Sequence, residues 1–373
     1  TNNVYSKLLI SMQFRTDING LRGWAVLLVL LFHYEIWRFN GGFLGVDIFF
    51  VISGFLMASI ISNSNENNNF SISNFYLRRA RRIIPALLTL IIVIILIGLI
   101  ILPPQELIKL SEHAGSSILF FSNFTYMDEA GYFDAVSINK WLLHTWSLSV
   151  EWQFYLLYPL ILKFFYILVA QNNIYFKNLI FHILLFAVLI LLSFKSYDVK
   201  PEFAFFMLPA RAWELIAGSI IFFIFKNNKI KSGLSIYSSL GVISLIILSL
   251  VVDDSFDWPG TYTLLTVLAT SLIILNNNQN NFLLHNYSIQ KLGEISYSLY
   301  LWHWPIFVGL NYFFLTDIYW KLLGFMFSVF ISIISYRYIE IKFNKYKTNK
   351  KFTISLTLIV VLVFIASLAI SNS

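Results

Sequence analysis

The chain has 373 residues, with 26 Lys and Arg against 19 Asp and Glu for a net charge of +7. Only 12% of positions are charged and 58% are apolar, which excludes a soluble enzyme: so few charges cannot cover that much apolar surface, whereas a bilayer accepts it directly. There is no cysteine, so disulfide frameworks and thiolate metal sites are excluded. Orientation in a membrane accounts for the basic excess without a nucleic-acid partner.

Apolar runs long enough to span a bilayer predict eleven helices, near 22–39, 43–62, 83–103, 141–169, 174–194, 203–225, 234–252, 261–275, 293–313, 320–340 and 352–371. The runs show no period-two alternation, which excludes a barrel. The expected fold class is therefore an all-α polytopic transmembrane bundle. The stretch from His113 to Met127 reads as a re-entrant or surface segment. With the N-terminus in the cytoplasm, 18 of the 26 basic residues fall inside and 6 outside, leaving Arg211 and Arg337 within spans. An odd number of spans then places the C-terminus outside. The Asn runs at 63–69 and 276–281 read as solvated cytoplasmic linkers.

An ionisable group within a span costs about 2.5 to 3.5 kcal/mol on insertion scales, so each needs a partner or a purpose. In the first span Arg22 and His33 stand eleven positions apart, which at about 100° per residue puts them on one helix face, roughly 16 Å apart along the axis. That is the length scale of a pantetheine arm, with a cation at the cytoplasmic end and an imidazole deep in the membrane. The competing reading is a snorkelling arginine and a packing histidine. The cluster Arg78, Arg79, Arg81 and Arg82 sits at the cytoplasmic mouth of the third span. It reads as a lipid anchor or, through Arg79 and Arg82 at i, i+3, as a phosphate clamp. Glu151, inside the fourth span, must pair with an arginine or hold a proton. Arg211 with Glu214, and Arg337 with Glu340, are spaced to neutralise each other. Pro209 and Pro305 are expected to open their helices locally, the latter beside His303. His113, His182 and His285 read as residues without a functional role. Phosphate-loop, zinc and nucleophile-elbow motifs are absent.

Six segments in order resemble the acyltransferase-3 family of membrane O-acyltransferases, typified by O-antigen and peptidoglycan O-acetylases. They are Phe14–Gly23, Gly42–Leu56 around Asp47, Phe75–Pro85, Leu143–Tyr155, Leu208–Leu215, and Ile295–Pro305, with His33 at the family's spacing from Arg22. Trp152 departs from the pattern, because many relatives carry a second acidic residue there. The resemblance implies a bacterial inner-membrane enzyme taking an acyl group, usually acetyl, from cytoplasmic acetyl-CoA, without a metal. The acceptor would be a hydroxyl of a cell-surface carbohydrate: O-antigen, capsule or a peptidoglycan precursor. It implies donor-side roles for Arg22, Arg79 and Arg82 and an essential His33, acting as general base or acyl carrier. Glu151 joins His33 as a candidate catalytic residue, while Asp47, Arg211 and His303 are assigned to the substrate path or to supporting the imidazole. The alternative is a transporter of an acyl group or lipid-linked sugar without chemistry. The expected organisation is an extension over 1–13, the acyltransferase domain over 14–342, a basic cytoplasmic linker over 343–351, and an extra span over 352–373. That last span is expected to lead to an extracytoplasmic SGNH-type domain.

Overall fold

The computed structural model describes residues 15–66, 70–130, 140–169, 173–228, 233–253, 255–345 and 350–371. The expected extension over 1–13 and part of the linker over 343–351 lie outside these residues. Among the described residues every regular element is helical, in the order α1 (Thr16–His33), a short 3-10 turn (Gly42–Leu44), α2 (Gly45–Glu66), α3 (Ile72–Ile101), α4 (Pro104–Ile118), α5 (Ser122–Glu129) and α6 (Thr145–Leu168). There follow α7 (Ile174–Val199), α8 (Pro201–Phe206), α9 (Leu208–Asn228), α10 (Ser235–Val251), α11 (Thr261–Asn276), α12 (Phe282–His285) and α13 (Tyr287–Tyr312). The chain closes with α14 (Ile318–Ser335), a π-helical turn (Tyr336–Glu340), α15 (Ile341–Lys345) and α16 (Lys350–Ser371). A helix stands at each of the eleven expected runs, and six helical segments among the described residues are long and apolar enough to cross a membrane by themselves.

The centre of the bundle is α1, α2, α9 and α13, with α9 packed on α2 and α7, and α13 packed on α1 and α14. Lipid removes most of the hydrophobic drive between helices, so close backbone approach has to supply the contact. A Cβ on Gly54 of α2 would stand 1.7 Å from the Leu215 carbonyl oxygen of α9, and one on Gly218 of α9 1.9 Å from the Val51 oxygen. Only glycine permits that crossing. By contrast α7, α14 and α16 expose apolar rows, among them Leu184, Leu191, Phe330 and Leu362, which face the bilayer.

Three expectations about the elements are corrected. First, α1 begins at Thr16, not near residue 22, and ends at His33. Arg22 therefore lies almost two turns inside the helix, and His33 is its last residue, where Glu35 and Trp37 turn the chain with positive φ. Second, α3 starts eleven positions before the apolar run at 83, because Ser71 caps its first turn by accepting from the Asn74 amide. The arginine cluster is thus carried within the helix. Both α3 and α13 continue through their prolines, Pro85 and Pro305, so Pro305 does not open the helix beside His303. Third, the Asn run at 276–281 is structural. Asn281 is buried, caps α12 and donates to Ser235, while Asn276 donates to Ser238 at 2.6 Å. An amide donates and accepts at once, so it can cap one helix while bonding another.

The bundle has two ends. At one, Arg15 pairs with Asp17 at 2.6 Å and donates to the Ile274 carbonyl at 2.8 Å, and Lys226 meets Glu66 at 3.2 Å. At the other, His33 ends α1 and Lys321 pairs with Glu35. There too Glu129 is held by His113 at 2.7 Å and Lys140 at 3.1 Å. Partial burial pushes the Glu129 carboxyl upward, but these two contacts outweigh it and hold it at about 2.

Candidate active site

A cavity of about 800 Å³, counting its open mouth, lies among α1, α2, α3, α6 and α13. It brings together Arg22, Arg79, Arg82 and Glu151, four residues singled out by sequence, from three helices. Arg22 donates to the Ser296 hydroxyl at 2.8 Å. Arg79 lies over the Tyr155 ring at 5.9 Å and the Phe75 ring at 5.8 Å, contacts that hold a guanidinium without neutralising it. None of the ion pairs formed among the described residues involves these three arginines. Three guanidinium groups converge here with no carboxylate of the described residues within ion-pair distance, an arrangement chemically able to receive an anion through several oxygens.

Glu151 reaches into the same cavity from the second turn of α6. Its Oε1 accepts from the Ser53 hydroxyl and from the Tyr155 hydroxyl, one turn along its own helix. The carboxylate is thus held by hydroxyl donors and turned toward the arginines without touching them. Trp152 does not line the cavity and stacks on Phe120 with centroids 4.5 Å apart.

His33 does not line this cavity, and neither do His303 or Asp47 and Arg211. The helices nevertheless aim the cavity at His33. On α13 the lining residues are Ser296, Tyr297 and Tyr300, and His303 follows three positions on, about 4.5 Å further along the axis. On α6, running the opposite way, Glu151 and Ser147 line it, and His144 lies three positions, again about 4.5 Å, beyond Ser147. Both helices end the cavity one turn short of a histidine. The partition is Tyr300, whose hydroxyl donates to the His144 carbonyl at 2.9 Å and accepts from Ser147 at 2.7 Å. Its ring is 5.4 Å from His303 and 5.6 Å from His144.

Behind the partition His33 Nδ1 and His303 Nε2 are 3.0 Å apart, and Trp304 packs edge-on against His33 at 4.7 Å. The tautomers follow from the partners. His303 Nδ1 lies 3.1 Å from the Leu299 carbonyl, which can only accept, so the proton sits on Nδ1 and neutral His303 offers a bare Nε2. His33 must then donate from Nδ1, which leaves its own Nε2 bare as an acceptor. Arg22 and His33 do share one face, as their spacing predicts, and that face meets α13 at Ser296 and His303. His144 and Tyr300 fall within the segments Leu143–Tyr155 and Ile295–Pro305, where nothing in the adjacent sequence gives them a role. The i, i+4, i+7 spacing of Ser296, Tyr300 and His303 was the signal that could have found the partition. Among the described residues no group of three His, Cys, Asp or Glu side chains has the arrangement of a metal site.

Asp47 and Arg211 are brought together at the His33 end, where Arg211 bonds Asp47 and also meets Glu214 at 2.8 Å, all three essentially inaccessible. The Arg211–Glu214 pair is as expected, and Asp47 is its third member. The rings of Phe50, Trp146 and Phe205 surround the guanidinium at 5.6 to 5.7 Å. Since Phe50 lines the cavity and Asp47 does not, this triad fastens α2 to α9 behind the site wall. The expected Arg337–Glu340 pair does not form. The π-helical turn at 336–340 widens the winding, so positions three apart no longer share a face. Arg337 is exposed, while buried Glu340 accepts from Ser298. His182 is a satisfied packing residue, bonded to Tyr158 at 2.9 Å and the Asn178 carbonyl at 2.7 Å.

A sequence profile described as an acyltransferase domain matches residues 15–371. The chain is 30% identical over 387 aligned positions to the O-acetyltransferase OatA of Staphylococcus aureus, covering 97% of this chain and 64% of that protein. It is 29% identical over 311 positions to the peptidoglycan O-acetyltransferase OatA of Listeria monocytogenes, covering 79% and 50% respectively. The chain therefore spans less than two thirds of the length of these relatives. No solved structure matches.

Proposed function

Because the chain belongs to the acyltransferase-3 family, we propose that it is a multi-pass O-acyltransferase of the bacterial cytoplasmic membrane. It would take an acetyl group from acetyl-CoA at the Arg15 end and deliver it to a carbohydrate hydroxyl at the His33 end. The names of the relatives, one of them a peptidoglycan O-acetyltransferase, favour a cell-wall glycan as acceptor. In this reading all eleven helices span, the Arg15 end faces the cytoplasm and the C-terminal helix ends outside, as the distribution of Lys and Arg requires.

The observation that carries the proposal is one cavity with Arg22, Arg79 and Arg82 along it and the His33–His303 pair one turn beyond its end. The three arginines fit a CoA-type phosphate cluster, and acetyl-CoA when bound supplies the activated acyl group. Arg22, Arg79 and Arg82 hold the phosphates, and the apolar wall of Phe49, Phe50 and Leu148 excludes water from the arm. Tyr300 must swing from its two hydrogen bonds for the cavity to join the space around His33. His303 keeps the proton of His33 on Nδ1, and bare Nε2 takes the proton of the acceptor hydroxyl as general base. Glu151, fixed by Ser53 and Tyr155, sets the field along the arginine-lined wall.

The test is incubation of purified protein with acetyl-CoA labelled in the acetyl group, with and without a glycan acceptor. Binding, and label transferred to glycan in wild type but not in His33→Ala, is the expected result. Label retained on His33 without acceptor would replace the base role by an acyl carrier. Binding without any thioester cleavage would favour a transporter.

A further inference from the structure

A second cavity, of about 690 Å³ including its open mouth, lies at the His33 end, apart from the first. The C-terminal end of α7 contributes Phe194, Tyr197 and Asp198, the connection from α10 to α11 contributes Phe256 and Asp257, and the first turn of α11 contributes Tyr262. The site is built rather than incidental. Tyr197 donates to Asp257 at 2.8 Å, tying the two walls together, and Phe256 meets Tyr262 edge-on at 4.7 Å. A Cβ on Gly260 would stand 2.4 Å from the Asp257 carbonyl, so the loop closes tightly behind the carboxylate. The same loop is anchored toward the active site. Its buried Trp258 packs on Phe43 at 4.7 Å, Phe43 on Phe32 at 5.4 Å, and Phe32 on His33 at 5.0 Å.

The lining chooses its ligand by chemistry. Two carboxylates only accept hydrogen bonds, and among the described residues no Lys or Arg lines the cavity. Phosphates, CoA and anionic lipid headgroups are repelled, and an acyl chain would bury the carboxylates without a donor. A sugar ring supplies what is missing, with hydroxyl donors for Asp198 and Asp257 and an apolar C–H face for the rings of Tyr197, Phe256 and Tyr262. Aromatic residues of an interfacial belt face lipid, whereas these surround a concavity together with acids.

We propose that this cavity is a glycan subsite. It holds one sugar of an extended acceptor while another sugar of the same chain, three ring contacts away, presents its hydroxyl to His33. The proposal rests on the acyltransferase reading for the direction of transfer, but binding tests it independently of catalysis. Glycan strands of peptidoglycan, freed of peptide, are titrated into the detergent-solubilised protein by calorimetry and by Trp fluorescence. The variants are Tyr262→Ala and Asp257→Asn, the second keeping an acceptor for Tyr197. Expected are a measurable Kd for wild type, at least a tenfold rise in both variants, unchanged thermal unfolding, and unchanged acetyl-CoA binding. Equal glycan affinity in wild type and folded variants, or no binding by wild type, would overturn the subsite. Loss of acetyl-CoA binding or transfer in wild type would instead overturn the acyltransferase reading and leave the glycan titration to decide the subsite.

Discussion

Replacing His303 separates a histidine that reacts from one that orients. His303→Leu removes the acceptor 3.0 Å from His33 Nδ1 while keeping an apolar side chain in a fully buried position. One neutral hydrogen bond contributes about 0.5 to 1.5 kcal/mol net, and about 1.4 kcal/mol is tenfold in rate. The expected loss in kcat is therefore about two- to twelvefold, with acetyl-CoA affinity unchanged because the arginines lie on the other side of Tyr300. His303→Gln places an amide oxygen within reach of the same proton and should restore most of the rate. His33→Ala removes the base itself and should cost about 10² to 10⁴. Stopped-flow release of CoA thiol in the presence of glycan measures all three. Equal rates for the Leu and Gln variants would refute the tautomer argument, and a folded His33→Gln protein with wild-type rate would refute the base.

Changing Arg79 and Arg82 together to Ala should weaken acetyl-CoA binding at least tenfold without impairing membrane insertion, and salt should weaken wild-type binding; calorimetry over a salt series checks both. Gly218→Ala must push α9 away from the Val51 carbonyl, costing about 1 to 3 kcal/mol of stability, read as a lowered unfolding temperature in detergent. Glu129→Gln should destabilise the corner formed by α4 and α5 near neutral pH. Because the Glu129 pKa is depressed from 4.5 to about 2, the wild-type advantage is full above pH 4.5 and fades as pH falls toward 2; an advantage that persists at pH 2 contradicts the assignment.

How much of this was legible in the sequence depends on whether the partner was local. Arg22 and His33 share a helix, so the 3.6-residue period alone placed them on one face, and Arg211 with Glu214 was readable for the same reason. The same rule failed for Arg337 and Glu340 because the backbone there is π-wound, and nothing in the residue types announces that. Helix starts were misplaced wherever polar residues form the first turns. Thr16 to Leu21 and Ile72 to Arg82 are helical although a hydropathy run overlooks them, since arginines that face a cavity are not loop residues. The Asn run at 276–281 was misread from composition, which cannot distinguish a solvated amide from one that caps a neighbouring helix.

The partners that make the site chemical are remote in sequence: Arg22 and Ser296 are 274 positions apart, His33 and His303 270, and Arg211 and Asp47 164. Each pair joins an early helix to a late one, so no window of the sequence contains it. The bundle resolves the cost of these buried charges in two opposite ways. Arg211 has its charge met by two carboxylates and three rings around it, and it fastens α2 to α9. Arg22 has the Ser296 hydroxyl and Arg79 two aromatic faces as described contacts, and with Arg82 they line a cavity, with Glu151 and Glu340 acting on the cluster through space and no ion pair among the described residues. A membrane protein has no reason to leave three guanidinium groups in that condition for stability alone, because snorkelling to headgroups would cost less. The asymmetry between the two sets, more than the presence of arginine in either, is the ground for proposing the cavity as the place where an anion is received.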